Sequence, residues 1–150
     1  MAALSKEEMV AKLGGRQLRV LICCGGGFSS SAMAKKVKDD INRHGLKDSV
    51  FAEFKPFVLV DEVIDDYDVI MCCPHLQYYV DRYVKEHHPT KPLYLIPPKM
   101  YGSMAIQDVM IDAIDVIDIF EKDGSNPVHF PGEENLLAIQ RHKAYRREHK

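Results

Sequence analysis

Two thiols, three glycines and three hydroxyls follow one another in Cys23, Cys24, Gly25, Gly26, Gly27, Phe28, Ser29, Ser30 and Ser31. The mostly apolar run LRVLI (18–22) precedes them, and helical spacing begins at about Ser30. Glycines let successive backbone N–H groups turn toward one point, and a helix N-terminus adds partial positive charge there. The hydroxyls of Ser29, Ser30 and Ser31 supply further donors. A thiol at the mouth of such a loop is expected to ionise easily, because the same dipoles stabilise thiolate. A thiolate beside an anion cradle is what a cysteinyl-phosphate intermediate requires: a nucleophile, and donors for the charge on the phosphoryl group.

Only one of the two thiols suits that role. Adjacent side chains on a strand point to opposite faces, so Cys23 and Cys24 cannot both line the loop. Cys24 touches the glycines and is the expected nucleophile; Cys23 reads as a small buried hydrophobe. The same parity argues against a metal site built from Cys23, Cys24, Cys72 and Cys73, and no C-x-x-C spacing is present. A buried cysteine before a glycine-rich connection is the plainer alternative. It gives no reason for the serine run or for the helix that follows at once.

The loop needs elements to hold it. LRVLICC (18–24), followed by glycines, SVFAEFKPF (49–57), with a Pro near its end, YDVIMCC (67–73), stopped by Pro74, and KPLYLIP (91–97) are short apolar runs, hence four strands, the first of them buried. Between them the apolar spacing is helical. Met33, Ala34, Val37 and Ile41 form one stripe, a short helix precedes Tyr67, and Leu76, Tyr79, Val80 and Tyr83 form another stripe running to about His87. Residues 102–122 predict one long amphipathic helix with Ile106, Val109, Met110, Ala113, Ile114 and Ile117 inward. Ser5 and Glu8 fit a capping box for a short N-terminal helix that Gly14 and Gly15 end.

Alternating strands and helices predict an α/β fold: a four-stranded parallel sheet with helices on both faces. Right-handed crossovers favour the order 2-1-3-4, which sets strands one and three side by side. Ligands of such sheets bind beyond the carboxyl ends of the strands, where the order switches. Two loops meet there, Cys24–Ser31 and the turn Cys73-Pro74-His75. The organisation expected is an N-terminal extension over 1–17, a phosphotransfer domain over 18–122, and a linker with a polar helix over 123–150.

At 150 residues the chain fills about one domain. A formal charge of −2 offers no global field for nucleic acid. No apolar stretch approaches the roughly 20 residues of a membrane span, and the N-terminus carries two glutamates rather than a secretory signal. Four cysteines in two adjacent pairs do not make a secreted disulfide scaffold. A cytoplasmic protein with reduced thiols is expected.

The segment VLICCGGGFSSSAMAKKVK (20–38) resembles the active-site region of IIB components of the bacterial phosphoenolpyruvate-dependent sugar phosphotransferase system. In that family a phosphorylated cysteine opens the loop, followed by small residues, a glycine and a Ser/Thr-rich helix start. Cys24, Gly27, Ser29, Ser30 and Ser31 fall on those positions. The second half is similar to the lactose/cellobiose type, with Asp68, Pro74, Tyr79, Pro92, Ile96, Tyr101 and Gly102 matching in order and spacing. The likeness covers roughly residues 18–119.

The resemblance implies a four-stranded parallel sheet and a phosphotransferase that needs no cofactor or metal. It implies a phosphoryl group taken onto Cys24 from a phosphohistidine of a IIA partner. From there the group passes to a sugar, a β-linked disaccharide such as cellobiose or lactose, bound by a membrane IIC permease. It implies a place in the cytoplasm, peripheral to that permease and without insertion of its own. The family commonly has Gly-Pro-Gln after strand three; this chain has Cys73-Pro74-His75. His75 there would reach a phosphoryl group on Cys24, and Cys73 would permit a reversible disulfide with Cys24 that switches transfer off.

The chain also resembles low-molecular-weight tyrosine phosphatases, which share a cysteine loop of this kind. Cysteine phosphatases clamp phosphate with an arginine six positions after the nucleophile. That position is Ser30, and no basic residue lies between Cys24 and Met33. Slow hydrolysis and a long-lived phosphocysteine follow, which suits a carrier. The same fold could also serve a thiol-redox module or a regulatory module. Tyr78, Tyr79 and Tyr83 read as core and rim packing, Phe28 as a partner contact, and RHKAYRREHK (141–150) as a solvated basic run.

Overall fold

In a computed structural model of the chain, residues 18–24, 35, 38–39, 50–103, 106–130, 132–133, 135–141 and 145 are described. The expected N-terminal helix, the loop Gly25–Ser31 and all of the first stripe lie outside them. Four runs of β-formers pair as strands: β1 (Leu18–Cys24), β2 (Val50–Pro56), β3 (Val69–Cys72) and β4 (Leu93–Leu95). All pairings are parallel and the order is β2-β1-β3-β4. The expected 2-1-3-4 sheet is therefore present, with β3 and β4 shorter than their apolar runs. β3 is aligned on β1 by Asp68: Arg19 N–H donates to its Oδ2 (2.9 Å), and its own N–H donates to the Arg19 carbonyl (2.8 Å).

The short helix α1 (Val60–Val63) lies between two 3-10 turns, and α2 (Gln77–His87) follows a third, Pro74–Leu76. α2 stops where His88 takes the left-handed conformation (φ 47°) and returns its N–H to the Val84 carbonyl. Histidine is among the residues that tolerate this region. Where a helix is expected over 102–122, the described residues are helical in α3 (Pro98–Ser103) and α4 (Ile106–Asp123). The first begins four residues early because Pro98 needs no N–H partner at a helix start and its fixed φ already suits one.

Strand alternation splits the interior into two cores. Leu18, Val20, Ile22, Val69, Met71 and Ile96 face α4, through Val109, Met110, Ala113 and Ile114. Leu21, Cys23, Ile70, Cys72, Leu93 and Leu95 face α1 and α2, through Val60, Leu76 and Val80. Truncating a fully buried member such as Ile70 to alanine would cost ~2–5 kcal/mol. Tyr83 ties α2 to the turn after β2: its ring meets Phe57 edge-on at 5.8 Å, and its O–H donates to Asp61 (3.0 Å). Tyr78 and Tyr79 depart from the packing expected of them, at 66% and 56% exposure. Val80 takes the inward position between them and Tyr83.

The segment after α4 also joins the interior. Val128 and Phe130 are buried in the α4 core, and Leu136 in the other. Arg141, read as the start of a solvated run, is instead only 5% exposed. Its Nη1 donates to Asp112 (2.9 Å), its Nε and Nη2 donate to Glu133 (2.7 and 2.9 Å), and Nη2 also donates to the Tyr94 hydroxyl (2.8 Å). Two carboxylates supply what burial of a guanidinium demands: paired charge and satisfied donors.

Candidate functional site

β1 and β3 lie side by side in the middle of the sheet, with Cys23 opposite Cys72. The pairing runs one residue past β3, where Cys73 N–H donates to the Cys23 carbonyl (3.0 Å). On the other flank Cys24, the last residue of β1, is aligned with Pro56, the last residue of β2. β4 closes the row: Ile96 N–H donates to the Cys72 carbonyl (2.8 Å), and Tyr101 N–H returns to Pro97 (2.9 Å). The Tyr101 ring packs against both cores, so it lies across the carboxyl end of the sheet. Thus the end of β1 with Cys24, the turn at Cys73 and the start of α3 are neighbours at one end of the molecule.

The backbone of Cys24 sits where the sequence predicts, at the switch point in strand order. Gly25, Gly26, Gly27, Phe28, Ser29, Ser30 and Ser31 lie outside the described residues. Of the second loop, Cys73 is extended, Pro74 opens the turn and His75 is exposed. Proline is well placed there, since the first residue of a helical turn has no use for its N–H.

The other three thiols are sealed. Cys23, Cys72 and Cys73 are buried and members of one core. Burial first, then contact with Cys23 and the nearness of Cys73, pushes the Cys72 thiol well above the usual range. A thiol so held is inert, because thiolate is the reactive form. Cys23 thus has the role expected of it. Cys73, the residue considered for a disulfide with Cys24, is buried in this core. Among the described residues, no group of three His, Cys, Asp or Glu side chains is placed to hold a metal. Among them, too, no helix is long and apolar enough to cross a membrane.

One feature of this end escapes sequence reading. The exposed large apolar side chains among the described residues are Val58, Leu59, Tyr78 and Tyr79, with Val58 at 84%. All four belong to the turns and helix start that directly follow β2 and β3, the two strands flanking β1. Hydropathy cannot find them, because inward and outward apolar residues look alike in a short helical segment.

Residues 19–112 match the family model described as PTS system, Lactose/Cellobiose specific IIB subunit. That is well over half of the chain. The chain belongs to this IIB family. A IIB component is a phosphotransferase of the sugar phosphotransferase system, and sugar transport is the process it serves. Among solved structures the chain is similar to a cellobiose-specific phosphotransferase IIB component from Borrelia burgdorferi. The two share 22% identity and a TM-score of 0.55, over 68% of this chain and 93% of that one. The lactose-specific IIB component domain from Streptococcus pneumoniae is also found, at 16% identity and a TM-score of 0.48, over 73% and 99%. No curated protein matches the sequence. The likeness to the Borrelia structure is one of fold, and it agrees with the sheet order above.

Proposed function

We propose that this IIB chain carries a phosphoryl group on Cys24, taken from a phosphohistidine of a IIA partner. It hands the group to a sugar bound by a membrane IIC permease, which sets its place of action at the cytoplasmic face. The sugar is a β-linked disaccharide such as cellobiose or lactose, a reading that rests on the family's description. The observation that carries the proposal is the position of Cys24 as the last residue of β1, in a IIB chain whose other three cysteines are buried.

The Cys24 thiolate attacks the phosphorus, an S–P bond forms, and the N–P bond to the donor imidazole breaks. A sugar hydroxyl then attacks the same phosphorus and loses its proton as the S–P bond breaks and thiolate returns. N–H and O–H groups of Gly25 to Ser31 hold the three phosphoryl oxygens throughout. His75, on the neighbouring turn, contacts them from the β3 side. Residues 18–122 act as the transfer domain. Val58, Leu59, Tyr78 and Tyr79 form the apolar ground on which the donor protein rests, because a macromolecule reaching the end of β1 must cover them.

The test is incubation with phosphoenolpyruvate, the general phosphotransfer proteins and a cognate IIA, followed by intact mass. One phosphoryl adduct is expected on the wild-type chain and none on Cys24→Ser. An adduct that persists on the serine variant places the acceptor elsewhere. Robust turnover of p-nitrophenyl phosphate would instead favour a phosphatase.

A further inference from the structure

β4 is the edge of the sheet, and its outer side is not bare. Pro92 and Ile96 make their backbone bonds to β3, so the N–H and C=O of Leu93 point the other way. Both are met by the segment after α4. Leu93 N–H donates to Asn126 Oδ1 (2.9 Å), and the Leu93 carbonyl accepts from Val128 N–H (2.8 Å). The other end of the same side-chain amide, Asn126 Nδ2, donates to the Lys91 carbonyl (2.9 Å). The Asn126 amide therefore stands in for one peptide unit of a fifth parallel strand, and the Val128 backbone continues it, bridged to Tyr94.

This addition is locked from the side. The guanidinium of Arg141 bonds Tyr94 on β4, Asp112 on α4 and Glu133 within the segment itself. It also reaches Met100 Sδ on α3 (3.1 Å) and lies over the rings of Phe130 and Tyr145, at 5.3 and 5.5 Å from their centroids. One buried side chain thus joins β4, α3, α4 and the returning segment. Asn126 and Arg141 both lie outside the residues matched to the family.

We propose that the outer edge of β4 is a strand-acceptor surface which the chain fills with its own residues Asn126–Val128, and that Arg141 is the lock. Open edges present unpaired N–H and C=O groups that recruit further strands. The partner that fits the opened edge is an extended strand, and the nearest supply is the same edge of a second copy. The inference is independent of the role of Cys24.

The full chain carries the test, through Asn126→Ala and Arg141→Met followed by amide hydrogen exchange and sedimentation velocity. In the wild-type chain the Leu93 and Val128 amides are expected to exchange slowly. Asn126→Ala should speed Leu93 by about tenfold, the loss of one ladder bond, and Arg141→Met should speed both amides more. Both variants should shift toward dimer at the concentrations used for NMR, Arg141→Met further. A Val128 amide unprotected in the wild-type chain, or exchange unchanged in the variants, overturns the added strand. Faster exchange in a chain that stays monomeric overturns the acceptor surface. Should Arg141→Met fail to fold, Asn126→Ala decides both points.

Discussion

Opposite ends of one electrostatic range meet on this sheet. At the β4 side a guanidinium is enclosed by two carboxylates, a hydroxyl and two aromatic rings, and its donors are engaged in fixed geometry. At the carboxyl end of β1 the thiols of Cys23, Cys72 and Cys73 are buried, His75 is open to solvent, and four apolar side chains stand exposed. The first region uses its charges to hold the chain together. In the function proposed, the second receives its charge with the phosphoryl group and has its exposed apolar surface covered by a partner. On that proposal the stabilising charges and the transfer site lie in different parts of the molecule, so each is expected to be damaged without the other.

Cys24→Ser is the largest break expected on the functional side. Phosphoryl uptake should vanish while the urea midpoint stays put, because the residue ends a strand whose pairing is made by its backbone. Arg141→Ala should do the reverse. Removing one member of a buried ionic group leaves the other charges unpaired and typically costs ~3–5 kcal/mol. The urea midpoint should fall accordingly, and uptake per folded molecule should hold. Equal losses of uptake in both variants would dissolve the distinction.

Thiol chemistry sharpens the contrast within the β1–β3 pair. Iodoacetamide should label Cys24 in the native chain, and Cys23, Cys72 and Cys73 only in denaturant, as peptide mass mapping would show. Native labelling of Cys73 would reopen the question of a disulfide with Cys24.

The smallest effect concerns Asp112. Burial, offset in part by Arg141 and by the Tyr145 N–H, pushes its carboxyl from 3.8 up to about 6. Desolvation wins because Arg141 shares its charge with Glu133. The folded chain then binds this proton more tightly than the unfolded one, so the contribution of Asp112 is greatest below about pH 4. It declines as pH rises toward 6 and is constant above. Subtracting the stability–pH curve of Asp112→Asn from that of the wild-type chain should give this falling step. A flat or rising difference would mean that the ion pair outweighs burial. Arg141 itself stays charged throughout: burial opposes its charge, but Glu133, Tyr94 and Asp112 hold the proton more firmly than usual.

The fold was legible in local sequence for a local reason. Apolar runs such as YDVIMCC and KPLYLIP contain strands buried on both faces, β3 and β4, and the helical spacings between them leave only a parallel arrangement that covers both faces. Strand parity expects Cys23 in the interior, and Cys23 is buried. Parity could not show that Tyr78 and Tyr79 face out, because helical spacing alone does not fix which side of a wide apolar stripe meets the sheet. Nor could composition reveal Arg141 as a core residue within a basic run.

By itself the sequence determined which segments are the four strands, their order in the sheet, and where Cys24 falls at the switch point. Those properties follow from periodicity and chain direction, which are written residue by residue. Only the tertiary structure decided that Asp112 and Arg141, 29 positions apart, meet in one buried ion pair, and that the Asn126 amide completes the edge of β4. Such contacts depend on how distant segments fold back, and a polar side chain carries no local mark that says whether water or another side chain will answer it.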